Sequence, residues 1–271
     1  MVYEVRAEPV DSFSVGRVFN RAFAAIVADP GAAIGIALLF GAVPMIGYHY
    51  LEHSFPTTVA VGQPGLPPGF WLAFFMIPAI AVLSTVVNVI AEGAFVPLVV
   101  AQQAGRPTGF ADAARAGLGA LLPLILLGLV TGIGTMIASL FLIIPGIILM
   151  LAWSVAGPAL VAERCGIRAA LARSRALTSG ARGGIFGLML VIGAVSIAVS
   201  ALVDQLATTY YGDVAFVHLF ERGFPAAYVL AKLVTDTATL VFSAALYGAL
   251  YVELRAWKEG APVDALAEVF A

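Results

Sequence analysis

Apolar residues run along this chain in blocks of about 20 or more, separated by short polar connections. A helix that crosses a bilayer needs about 20 predominantly apolar residues. Six stretches qualify: 31–51, 70–103, 119–141, 145–163, 184–206 and 225–256. The second would form about 50 Å of helix, longer than the hydrocarbon core, with Pro78 and Pro97 as its expected kinks. The third and fourth are joined by the tight turn Ile144-Pro145-Gly146.

The polar connections carry their own pattern. Residues 12–28 (SFSVGRVFNRAFAAIVA) put Phe13, Val15, Val18, Phe19, Ala22, Phe23 and Ile26 largely on one side, and Arg17, Asn20 and Arg21 on the other. That predicts a helix lying in the membrane interface. Asp29-Pro30-Gly31 then turns the chain. A short helix is expected at 108–118, capped by Thr108 with Asp112 in its first turn. Another is expected at 166–178, where Ile167, Ala170, Leu171, Ser174 and Leu177 share a face and Arg168, Arg173 and Arg175 lie elsewhere. Those arginines either meet anionic lipid headgroups or only fix topology. The predicted fold is an all-α polytopic membrane protein with six transmembrane helices plus amphipathic interfacial helices. Its parts are an N-terminal interfacial segment 1–30, a membrane domain 31–256 and a tail 257–271.

Composition sharpens the picture. Hydrophobic residues make up 61% and charged residues 11%, against about 45–50% and about 25% in soluble domains. Soluble globular, disordered, collagen-like and disulfide-rich classes are excluded. Cys165 is the single cysteine, so no intrachain disulfide forms. A net charge of −2 offers no field for nucleic acid. The opening 30 residues contain no apolar signal segment with a cleavage site, so insertion is expected to rely on the first membrane helix. Lys and Arg cluster in alternate connections: three in 1–30, two in 104–118, five in 164–183 and two in the tail, but one across the intervening loops. The positive-inside rule then predicts both termini on the cytoplasmic side of a multi-pass membrane protein.

Polar groups inside the apolar blocks are the first candidate chemistry, since each costs about 2.5–3.5 kcal/mol to insert. Asn88 and Glu92 share a face of the second block, and Lys232 and Asp236 a face of the sixth. A Glu92–Lys232–Asp236 cluster between these helices would be either a proton-coupled transport site or a charged staple. His49, His53 and His218 fall on the predicted outer side, with His49 and His53 one turn apart in H-Y-L-E-H. They are candidate ligands for a divalent metal such as zinc, or ordinary headgroup-zone residues beside Tyr48 and Tyr50. H-x-x-E-H also matches a short peptidase signature, but no peptidase domain follows it. There is no Walker A loop, GxSxG or HExxH, so no enzyme is expected and no cofactor beyond that metal. Gly31–Gly35, Gly128–Gly132 and Gly183–Gly187 let helices approach closely, within one chain or in a homo-oligomer.

Residues 143–180, IIPGIILMLAWSVAGPALVAERCGIRAALARSRALTSG, carry Pro145-Gly146 at a helix start, Pro158 near its end, Glu163-Arg164, Ala170-Leu171, Ser174, Leu177 and Gly180. With Leu246-Tyr247, Tyr251, Leu254-Arg255 and Glu259-Gly260, this pattern resembles the membrane domain of some bacterial glycerophosphoryl diester phosphodiesterases and related stand-alone inner-membrane proteins. The resemblance implies architecture and a bacterial inner membrane. It implies no catalysis, because the phosphodiesterase activity belongs to a separate soluble barrel. The expected role is non-enzymatic: binding or moving lipid or an amphipathic ligand, or supporting envelope integrity, with membrane lipids or an envelope protein as partners.

Overall fold

The structure, a computed structural model, describes residues 12–39, 70–103, 110–211 and 226–260. Among the described residues every regular element is helical and there is no strand. In chain order they are α1 (Val15–Ala28), α2 (Pro30–Ala37), α3 (Phe70–Gln103), α4 (Phe110–Gly119), α5 (Leu121–Phe141), α6 (Ile143–Trp153), α7 (Ala156–Glu163), α8 (Ile167–Thr178), α9 (Arg182–Tyr211) and α10 (Ala226–Glu259). Among the described residues five runs are long and apolar enough to cross a bilayer: Thr85–Gln102, Leu121–Phe141, Ile143–Glu163, Arg182–Tyr210 and Leu230–Glu259. Of the block expected at 31–51, α2 opens on an Asp29 cap that accepts the Ala32 N–H at 2.9 Å, and residues 40–51 lie outside the described residues. Thr108 also lies outside them.

The hub is α3, which packs against α5, α7, α10 and α4. It runs as one continuous helix through both Pro78 and Pro97. Small residues set its spacing. A Cβ on Gly128 would fall 2.7 Å from Val86 Cα, so α5 touches the α3 backbone itself. A Cβ on Gly132 would meet Val82 Cα at 3.4 Å, one turn on. Gly35 receives the Phe110 ring in the same manner. Among the described residues nothing lies within 4 Å of a Cβ on Gly183 or Gly187, so that third small-residue pair joins no contact between them.

The fourth apolar block is two helices. Pro158 has no N–H to donate back to Ser154, and the chain bends between α6 and α7. The freed groups are satisfied from α8: the fully buried Ser174 hydroxyl donates to Ala152 C=O at 2.9 Å and accepts the Val155 N–H at 3.2 Å. Irregular backbone inside an apolar bundle requires such partners. After α7, Arg164 adopts a left-handed conformation (φ 47°), which reverses the chain into α8.

Large apolar side chains cover the outer surface. Leu190, Val195, Leu202 and Leu206 of α9 are exposed, and Ile197 is 72% exposed. At the α5–α6 turn, Leu140 through Ile144 are all exposed. Such a surface is stable against hydrocarbon rather than water.

Candidate functional site

Three polar features interrupt this apolar bundle. The first is an ionic layer at the end where α1, α8 and the C-terminal part of α10 meet. Glu253 of α10 is fully buried. Arg17 Nε donates to its Oε1 at 2.7 Å, and Arg21 Nη2 lies 3.4 Å from Oε2. Burial holds the Arg21 guanidinium below the usual arginine range, against the opposing pull of Glu253; neighbouring Arg17 adds to the lowering. Beside this clamp, Arg173 of α8 donates to Glu163 Oε1 at 2.6 Å and also pairs with Glu259, which takes Arg255 Nε at 3.2 Å. The Tyr251 hydroxyl donates to Glu163 at 3.0 Å. Hydrogen bonds from Arg173 to Glu259 and Glu163 outweigh partial burial and raise Arg173 above the ordinary arginine range, so it stays charged throughout.

This layer shows where the arginines of α1 and α8 sit. The arginines of α1 do not face away from the bundle. Residues 17, 18, 21, 22 and 25 share one helical face, so Arg17 and Arg21 dock with Val18, Ala22 and Ala25 against the bundle, while Phe23 is 63% exposed. Of the three headgroup candidates, Arg168 and Arg175 are exposed, but Arg173 is committed to two carboxylates.

The second feature lies between α9 and α10. A laterally open groove of about 270 Å³ runs between Ile192, Val195, Ser196 and Val199 on one wall and Val234, Thr235, Ala238, Thr239 and Phe242 on the other. Ser196 donates to Ile192 C=O and Thr235 to Ala231 C=O, so those hydroxyls leave the walls effectively apolar. Beyond the groove, away from the ionic layer, Asp204 accepts the Tyr228 hydroxyl at 3.0 Å and lies 3.9 Å from Lys232 Nζ. Asp236 is one turn from Lys232 and half-buried.

The third feature is Glu92, half-buried on α3 where α7 begins. A Cβ on Gly157 would stand only 3.1 Å from the Val89 carbonyl oxygen, so α7 packs close on the α3 backbone here, and it would stand 3.7 Å from Glu92 Oε2. Tyr247 is within electrostatic reach, and among the described residues no hydrogen bond or opposite charge answers Glu92. Asn88, one turn away, is exposed.

The structure does not bring Glu92 to Lys232. Gly93 meets Val161, and Tyr251 reaches Glu163, so Glu92 lies beside α7 at the level of Tyr247 of α10. Lys232 lies about 23 Å back along α10 at the helical rise. Its carboxylate neighbour is Asp204, a residue that a search for polar pairs one turn apart passes over because it stands alone in its block. Glu253 escapes the same search, and its signal is a single acid among the apolar residues 244–254. His49, His53 and His218 lie outside the described residues. Among the described residues no group of three or more His, Cys, Asp or Glu side chains forms a metal site. No family model, curated protein or solved structure matches this chain.

Proposed function

We propose that this is a non-enzymatic, multi-pass protein of a bacterial inner membrane that binds lipid or another amphipathic ligand. In this reading six helices span the bilayer, and the ionic layer and the α8 arginines face the cytoplasm, as the positive-inside count requires. The observation that carries the proposal is the groove between α9 and α10. Its walls are hydrocarbon, it opens sideways toward the membrane, and a polar cap of Asp204, Lys232 and Tyr228 stands beyond one end. An apolar chain with a polar head matches that order of surfaces. Exposed Arg168 and Arg175 on α8 add a second point of contact with anionic headgroups at the opposite end.

The test is lipid retention. Full-length protein purified in mild detergent should carry lipid detectable by native mass spectrometry. Ala238→Trp, which fills the groove, should strip it. Retention unchanged by that substitution would count against the reading.

Glu92 favours a second reading, proton-coupled transport. A carboxylate without a described partner inside a bundle is a common mark of a transport path. Proteoliposomes under a pH gradient would show flux that Glu92→Gln abolishes while the protein stays folded; absence of flux for amphipathic and small solutes alike argues against it.

A further inference from the structure

Resting on the lipid-binding reading, we infer that the Asp204–Lys232 pair capping the groove selects a zwitterionic phospholipid whose head carries a primary amine, with its acyl chain in the α9–α10 groove. Three observations converge on this occupant. The first is length. From Asp204 to Ile192, and from Lys232 to Phe242, the groove and its cap extend about 15–18 Å along the helices, the depth of one leaflet of a bilayer about 30 Å thick. The second is position. Asp204 stands about 33 Å from Arg182 along α9, so the cap lies at the headgroup level of the leaflet opposite α8.

The third is charge. Asp204 sets one carboxylate beside the Lys232 ammonium, a pair whose opposite charges complement the amine and the phosphate of a zwitterionic head. Lys232 Nζ is 3.9 Å from Asp204, a loose contact that leaves ammonium donors for a phosphate oxygen. Asp204 is oriented by the Tyr228 hydroxyl on one oxygen and is 42% exposed, so it can accept from an incoming N–H. A primary ammonium donates to a carboxylate, whereas a quaternary choline head has no N–H to give. The order of preference is therefore amine head, then choline head, then anionic head.

The full chain in detergent, challenged with equal amounts of phosphatidylethanolamine, phosphatidylcholine and phosphatidylglycerol of matched chains, tests this by native mass spectrometry. The amine lipid should be held about tenfold over either competitor, equivalent to about 1.4 kcal/mol. Asp204→Asn should erase the preference without erasing retention, and Tyr228→Phe should weaken it. Equal retention of all three lipids, or preference for phosphatidylglycerol, overturns the headgroup assignment even when Ala238→Trp confirms the groove. Retention unaffected by Ala238→Trp overturns the groove itself, and this assignment with it. The wild-type competition decides the headgroup question should Asp204→Asn fail to fold.

Discussion

Arg17 at the start of α1 and Glu253 near the end of α10, 236 positions apart, form a 2.7 Å charge-assisted hydrogen bond around a carboxylate with no exposed surface. Arg21 completes the clamp from one turn on. Removing the carboxylate leaves two cations facing a desolvated site, whereas removing Arg17, itself 39% exposed, leaves Arg21 in place. Glu253→Ala should destabilise the protein by about 3 kcal/mol and Arg17→Ala by about 1 kcal/mol. Thermal unfolding in detergent checks both, and equal effects would contradict the asymmetry. Protease cleavage near α1 should rise only in the first.

The Ser174 hydroxyl satisfies the backbone where α6 breaks from α7. Ser174→Ala leaves the Val155 N–H and Ala152 C=O without that partner and should cost about 1–3 kcal/mol. Hydrogen exchange should accelerate at Val155 specifically. Protection at that amide equal to wild type would show that the break is held by other means.

The glycine pairs divide by what surrounds them. Gly128→Ala drives a methyl into Val86 Cα, which belongs to the α3 backbone and cannot swing aside. It should lower stability by about 1–3 kcal/mol. Gly187→Ala meets open space on α9 and should be neutral or gain about 0.5–1 kcal/mol from helix propensity. A large loss at Gly187, with altered mass by light scattering, would instead mark a face shared between copies.

Cys165 has a thiol raised above its usual range, chiefly by burial and then by the Glu163 carboxylate. Because the shift is upward, the reactive thiolate is scarcer at neutral pH than in a free cysteine, and labelling quickens as pH climbs through the raised value. Maleimide labelling should therefore be slow near pH 7 and rise about tenfold per pH unit. Glu163→Gln should speed it at fixed pH. A rate independent of pH over this range excludes thiolate control.

Much of the fold was legible because the bilayer constraint is written in runs of side chains. The helices at 70–103 and 225–256 appear as α3 and α10 within three residues of their expected ends. The predicted inner face of 166–178 is the one α8 buries, with Ala170, Ser174 and Leu177 inside. The break at Ser154–Val155 was legible in part, since Pro158 interrupts the backbone hydrogen bonds of the fourth block, but the Ser174 hydroxyl that satisfies it comes from another helix. The candidate site was legible only in part. Lys232 stands out in its apolar block, but the pattern of one-turn spacings points to Asp236 and Glu92, whereas Asp204 beside it belongs to α9.

The sequence by itself determined that hydrocarbon suits most of this surface and where α3 and α10 begin and end, because local composition and proline or glycine placement act over a few turns. Only the tertiary structure decided which charges meet. Arg17 with Glu253, Arg173 with Glu163 and Glu259, and Lys232 with Asp204 each join different helices. Such pairings follow from the relative level and rotation of helices. Those are set by how close Gly128 and Gly93 let their backbones and neighbours come, a property of packed surfaces that no single segment carries.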